Sequence, residues 1–370
     1  MKNILLHTPE GVRDIYGNEF AGKEKVEQVI GEKLHSFGYE SIQTPTFEFF
    51  DVFSKEIGTT PSKELYKFFD KEGNTLVLRP DFTPSIARCA AKYYMDETRP
   101  IRFCYKGNTY INTGNLQGKL KEVTQMGAEL MNDDSVQADA EMIALVVEAL
   151  LQTGLKEFQV SIGEVEYFKG LCEEAGLSAE TAEDLRELIS GKNLFGAEEL
   201  LKERNVCEAE RERLLKISDF FGSAEILDDA EVQVHNETSK KAVSHLKKLY
   251  EVLKAYGVEK YVSFDLGMLS KYHYYTGVIF KAFSYGVGDA IVKGGRYNKL
   301  LGYFGKSAPA IGFAVVIDDL LLSLERQNGT YQEKPEVLEI TYQEGNYTEK
   351  LKEAQQLRNE GKRVALIPET

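Results

Sequence analysis

Val123-Thr124-Gln125-Met126-Gly127-Ala128-Glu129 alternates with a period of two, which places Gln125, Gly127 and Glu129 on one face of an extended strand. Such a face is either the solvated outer side of an antiparallel sheet or the floor of a binding site, and periodicity alone fits the outer side well. Residues 101–105 and 121–131 read as two antiparallel strands joined by a Gly- and Asn-rich loop at 112–118. Asp134 or Ser135 caps a helix running to Thr153. That helix is apolar nearly all round (Met142, Ile143, Leu145, Val146, Val147, Leu150, Leu151), so it is expected to be buried.

Upstream, residues 19–37 carry Phe20, Val26, Ile30 and Leu34 at helical spacing, with Gly38 beyond the helix end. Tyr39 to Phe50 is strand-like and interrupted by Pro45. Leu76-Val77-Leu78 is a short strand leading into Arg79-Pro80-Asp81-Phe82-Thr83-Pro84, where the prolines break regular structure and a helix follows from Ser85. A cation, a carboxylate and a hydroxyl at such a bend suit a site, and equally an Asx-type turn with a helix cap.

Downstream, composition shifts near residue 165. Residues 166–256 are rich in Glu, Lys and Leu with helical periodicity and read as a separate insertion. Strands are expected at Tyr261–Leu266, Val278–Phe283 and Asp289–Val292, then an apolar helix over Ile311–Leu324. Past a turn at Asn328-Gly329 comes a short strand (Val337–Thr341), helix (Asn346–Glu360) and strand (Arg363–Pro368), a piece too small to fold readily alone. Tyr272-His273-Tyr274-Tyr275-Thr276-Gly277 and Gly294-Gly295-Arg296-Tyr297 set aromatic hydroxyls beside glycines. Gly294-Gly295-Arg296 taken alone is a better β-turn than phosphate loop, and His273 has no nucleophile or metal partner at a recognisable spacing.

The bulk numbers exclude several classes. A 370-residue chain with 42% hydrophobic and 28% charged residues has ample core material for two or three domains. No run approaches the roughly 18 apolar residues of a membrane span. Cys89, Cys104, Cys172 and Cys207 are scattered without a Cys-x-x-Cys pair, so neither a disulfide framework nor a metal site is expected, and a reducing cytoplasm fits. The net charge of −14 disfavours nucleic acid as a partner, because binding phosphates draws on clustered Lys and Arg.

Taken in order, these segments resemble histidyl-tRNA synthetase. Thr8-Pro9-Glu10-Gly11-Val12-Arg13-Asp14 is similar to its N-terminal segment, and Phe37 through Pro45 to the dimer-forming first class motif. Leu78–Thr83 resembles a Leu-Arg-Pro-Glu-x-Thr segment with Asp81 in the glutamate place. Gln125–Glu129 resembles the second-motif strand, Tyr274–Gly277 and Gly294–Tyr297 the two histidine-specific segments, and Ile311–Ala314 the start of the third motif. The resemblance spans about residues 1–325. It implies an α+β fold: a class II aminoacyl-tRNA synthetase-like antiparallel sheet flanked by helices. Residues 1–165 and 257–328 would form the core, 166–256 a helical insertion, and 335–370 a partial anticodon-binding-like βαβ remnant. It also implies a histidine pocket in which Asp81, Thr83 and Gln125 meet the amino group while Glu129, Tyr275 and Tyr297 line the imidazole end.

The departures matter as much as the matches. Adenylation needs fixed positive charge beside a triphosphate, and arginine's planar fork suits it. The three arginines of the synthetase family fall here at Ile111, Ser270 and Asp319. A synthetase-like body that lacks them, carries a helical insertion and has no full anticodon-binding domain is similar to the regulatory subunits of ATP phosphoribosyltransferase. That resemblance implies no catalysis and no cofactor. It implies a short-form catalytic subunit as partner, L-histidine as effector, and a self-dimer within a hetero-octamer. A working histidyl-tRNA synthetase and an orphan histidine sensor serving another enzyme are the alternatives.

Overall fold

The structure is a computed structural model and describes residues 6–53, 60–114, 119–269, 274–329 and 336–369. Ser270, Lys271, Tyr272 and His273 lie outside the described residues. In chain order the elements are α1 (Gly17–Ser36), β1 (Glu40–Ser41), β2 (Phe47–Phe49), β3 (Lys67–Phe69), β4 (Thr75–Leu78), α2 (Thr83–Tyr93), β5 (Ile101–Tyr110), β6 (Glu122–Met131), α3 (Val136–Gln152) and β7 (Phe158–Glu164). Then come α4 (Val165–Glu174), α5 (Ala179–Ser190), α6 (Leu194–Glu203), α7 (Glu208–Lys216), β8 (Phe221–Gly222), α8 (Ile226–Gln233) and α9 (Glu237–Tyr256). The chain continues with β9 (Val262–Asp265), β10 (Val278–Ser284), β11 (Val292–Arg296), β12 (Ala310–Val316), α10 (Ile317–Asn328), β13 (Leu338–Tyr342), α11 (Tyr347–Asn359) and β14 (Val364–Pro368).

Nine strands form one sheet in the order β1-β5-β6-β12-β11-β10-β7-β9-β8. Most pairs are antiparallel, while β1–β5 and β7–β9 are parallel. A smaller sheet has the order β2-β4-β3. The Ser135 side chain accepts from the Ala138 amide and so caps α3, whose Met142, Ile143, Leu145, Val146 and Val147 are fully buried. After α1, Gly38 takes φ +81°, a left-handed conformation that glycine adopts without a Cβ penalty.

The chain divides into two compact units. Among the described residues, one takes 26–329 together with those before 15, and the other takes 15–25 and 336–369. In the second unit β13 and β14 pair in parallel with α11 between them in sequence, and Ile340 and Ala354 are buried. In the first, no helix among the described residues of the chain is long and apolar enough to cross a membrane.

Two sequence expectations fail in the sheet. Residues 310–316 form a strand, so the apolar helix expected over Ile311–Leu324 begins only at Ile317. β12 lies between β6 and β11 in the middle of the sheet. A strand covered on both faces shows an unbroken apolar run that periodicity cannot separate from a buried helix. Gly294-Gly295-Arg296 is likewise neither a turn nor a phosphate loop. It lies inside β11, which starts at Val292, where the strand expected at Asp289–Val292 was to end. The two glycines make room: a Cβ on Gly295 would come within 2.8 Å of the Tyr275 ring, and one on Gly294 would overlap Phe280. β7 is missing from the sequence expectations, although Phe158, Val160 and Ile162 alternate with Gln159, Ser161 and Gly163 at the period of a strand.

Candidate functional site

The register of the central strands sets opposite residues side by side. Glu129 pairs with Gly312 and Gly312 with Gly295; one step along, Gly127 pairs with Ala314 and Ala314 with Lys293. Side chains in each such row share a face, and on this face most are glycine or alanine. The floor is therefore low, and larger groups lie over it. Tyr105 stacks on Phe82 with ring centroids 4.4 Å apart and occupies the space above Gly127, where a Cβ would meet its hydroxyl at 2.5 Å.

Above this floor is a cavity of about 280 Å3 lined by Asp81, Thr83, Gln125, Tyr275 and Tyr297, among others. Five of the six candidate histidine-site residues thus meet around one space at the small end of the ligand-pocket range. Tyr274 joins them, edge-on to Tyr275 at 4.8 Å and to Tyr297 at 6.0 Å. Asp81 makes an Asx turn, accepting from the Thr83 amide at 3.1 Å, and also faces the cavity, while the expected helix cap does not form, since no side chain caps the start of α2. The helix starts at Thr83 rather than Ser85. Arg79 does not face the cavity. Its guanidinium is buried, stacks on Phe82 at 4.0 Å and donates to the carbonyls of Asn108 and Thr44.

Glu129, the sixth, lies directly behind the wall. It is 1% exposed and accepts hydrogen bonds from Thr83 Oγ1 at 2.8 Å and from the Tyr297 hydroxyl. The outward polar face that the alternation allowed is therefore a buried face. Burial pushes the Glu129 carboxyl up to about 8, against the two hydrogen bonds, which favour its charged form. A folded pKa above the unfolded one means stability that is complete below the unfolded value of 4.5 and is lost as pH rises toward about 8. Glu129→Gln is accordingly expected to raise the thermal midpoint of the ligand-free chain at pH 8.5 by on the order of several degrees, and to leave it unchanged at pH 4. Parallel melts across this range, with equal midpoints at both ends, would refute the buried neutral carboxyl.

Adjacent residues Arg296 and Tyr297 serve opposite sides of the sheet. While Tyr297 reaches Glu129, Arg296 turns to α3 and donates to Asp139 through Nε at 2.8 Å and Nη2 at 2.5 Å. Asp139 also meets His245 Nε2 of α9 at 3.0 Å, and His245 Nδ1 meets Glu164 at 3.0 Å. Burial alone would lower the imidazole's pKa; the bonds to Asp139 and Glu164 outweigh it and raise it to about 9. Two cations and two carboxylates thus pin α9 to α3, β7 and β11 beneath the tyrosine wall. Composition and spacing carried no sign of this cluster, since its members lie far apart in the chain.

Two of the three lost arginine positions are described. Ile111 and Asp319 both line the cavity, at the end away from Glu129's partners. Burial, with Asp289 and Asp318 nearby, holds the Asp319 carboxyl above the ordinary carboxylate range. Asp289, Lys293 and Lys119 complete that end, and Asp289 pairs with Lys293 at 3.2 Å. These three were absent from the sequence-derived site, because Asp289 read as strand and lysines in an acidic chain read as solvated surface. The wall that would face a triphosphate therefore holds carboxylates and an aliphatic chain beside two lysines.

The sequence model of the histidyl-tRNA synthetase family matches residues 11–320. A solved histidyl-tRNA synthetase from a Nostoc species shares the fold, with a TM-score of 0.81 at 21% identity over 98% of this chain and 86% of that one. Fold and cavity together define a chain of the histidyl-tRNA synthetase class, built on the class II sheet. A solved protein from Bacillus halodurans, described as an ATP phosphoribosyltransferase regulatory subunit/histidyl-tRNA synthetase, matches with a TM-score of 0.90 and 34% identity, covering 99% of this chain and 94% of that one. ATP phosphoribosyltransferase regulatory subunits from Acetivibrio thermocellus and Ruminiclostridium cellulolyticum are 43% and 39% identical, over 91% and 98% of this chain and 80% and 87% of their own lengths. The chain belongs to the family of ATP phosphoribosyltransferase regulatory subunits.

Proposed function

We propose that this chain is the regulatory subunit of an ATP phosphoribosyltransferase, required for the first step of histidine biosynthesis, and that it binds L-histidine in the cavity of Asp81, Thr83, Gln125, Tyr275 and Tyr297. Glu129 positions Thr83 and Tyr297 from behind. The observation that carries this reading is a cavity with amine- and imidazole-directed groups at one end and Ile111 and Asp319 at the other. A carboxylate suits a cationic amine, and phenols suit a ring nitrogen. Asp319 in the wall repels a triphosphate, which argues against a working histidyl-tRNA synthetase.

The partner in this reading is a short-form catalytic subunit in the cytoplasm. The chain forms a self-dimer within a hetero-octamer, and feedback by histidine is a coupling free energy between its cavity and the partner's active site. Residues 1–165 and 257–328 serve as the synthetase-like core, 166–256 as a helical insertion, and 335–370 as an anticodon-binding-like remnant.

The test is the activity of the cognate catalytic chain with and without this protein across a histidine titration. Activity that requires this chain and falls as histidine rises supports the reading. Neither activation nor histidine sensitivity would move the function to a histidine sensor acting on another enzyme. Asp81→Ala is expected to keep the activation and lose the histidine inhibition. In the isolated chain, histidine at about 100 times its Kd is expected to add about 2.7 kcal/mol of stability, measured as a rise in midpoint that Asp81→Ala abolishes.

A further inference from the structure

We propose that Lys293 holds the carboxylate of the bound amino acid, taking over from the missing arginines. The inference rests on the histidine reading of the cavity and adds the group that selects an amino acid over its decarboxylated or reduced analogues.

A free amino acid in this cavity presents an anion as well as an amine, and Ile111 and Asp319 cannot receive it. Two cations close in sequence to the site are engaged elsewhere. Arg88 meets Glu48 at 2.7 Å and Lys106 meets Glu27 at 3.0 Å, and neither lines the cavity. The cations in the cavity wall among the described residues are Lys119 and Lys293. Lys119 is exposed, in the segment before β6. Lys293 rises from the sheet itself, with its side chain 33% exposed.

The register places Lys293 suitably. Its row, with Ala314 and Gly127, is one step from the row of Gly295, Gly312 and Glu129. Two residues along a strand span about 6.8 Å, a separation that suits a ligand with its ring at the Glu129 row and its carboxylate further on. The backbone floor between the two rows is low, since these neighbours are glycine or alanine, and the Tyr105 and Tyr275 rings stand over Gly127 and Gly295 as walls. Of the three ammonium donors, one goes to Asp289 at 3.2 Å. Asp289 thus keeps Lys293 paired while the cavity is empty, and the remaining donors serve the ligand. A lysine offers a point charge where arginine offers a fork, so this anchor selects charge more than carboxylate geometry.

The experiment is calorimetric titration of the full chain with L-histidine and with L-histidinol, which carries an alcohol in place of the carboxylate. A charged hydrogen bond corresponds to roughly ten- to hundred-fold in affinity. Wild-type protein should prefer histidine by about that factor. Lys293→Met and Lys293→Gln should weaken histidine by about the same factor while keeping histidinol within about three-fold, so that the preference disappears. Unchanged histidine affinity in both variants would overturn the inference and leave the pocket reading standing. Equal loss of both ligands would also overturn it, marking Lys293 as structural. Failure of wild-type protein to bind either ligand would overturn the pocket reading and the inference together.

Discussion

Arg296→Met is expected to destabilise the folded chain by about 3–5 kcal/mol. The Arg296 side chain is 6% exposed, and Asp139, which it holds through two donors, is 0% exposed. Removing the cation leaves the carboxylate buried with His245 as its remaining charged partner, and an uncompensated buried charge is the costly case. Urea unfolding followed by circular dichroism measures the loss. Arg296→Met combined with Asp139→Leu should recover most of it, because replacing both partners of a buried pair by apolar groups is often neutral. A single variant within 1 kcal/mol of wild type would show that the pair contributes little. The same cluster has a pH signature. His245 titrates near 9 in the folded chain against 6.5 unfolded, so its contribution is complete below 6.5 and is lost as pH rises through about 9. Glu129 acts in the same direction from 4.5 to about 8. Wild-type stability should therefore decline on the alkaline side earlier than that of a His245→Gln, Glu129→Gln double variant.

Histidine-dependent exchange of pyrophosphate into ATP is expected to be absent, lying about four to six decades below that of a working synthetase. Each charged hydrogen bond to a phosphate contributes roughly 1.5–3 kcal/mol, so three lost arginines forfeit on the order of 5–9 kcal/mol before any repulsion. Ile111 removes one such contact, and Asp319 reverses the sign of a second inside the cavity wall. Ser270 stands at the third place, outside the described residues. Exchange measured at high enzyme concentration with saturating histidine decides the matter. A rate within a hundred-fold of a synthetase would mean that Lys119 and Lys293 carry the triphosphate instead, and would return the chain to catalysis.

Much of the fold was legible because local signals and long-range packing agree. The Ser135 cap, the all-round apolar α3 and the Gly38 stop each depend on a few neighbouring residues, and each stands where the sequence places it. The errors fall where tertiary context replaces local pattern. β12 reads as helix because both its faces are covered, and Gly294-Gly295 reads as a turn because glycine in a strand has no local justification. Its reason is the Phe280 and Tyr275 rings, which arrive from elsewhere in the chain.

For the candidate site, residue identity was enough to name Asp81, Thr83, Gln125, Glu129, Tyr275 and Tyr297 and to mark Ile111 and Asp319 as departures. Ordered motifs and absent arginines are properties of the chain as written, and family membership follows from them. Which groups face the cavity was decided only in three dimensions. Strand register set Glu129 behind Thr83 and Tyr297, sent Arg296 to the opposite face from Tyr297, and brought Lys293 and Asp289 into the wall near Asp319. No local pattern encodes these relations, because each depends on hydrogen-bonded pairing between segments far apart in sequence, and a shift of one residue in any strand would exchange its two faces.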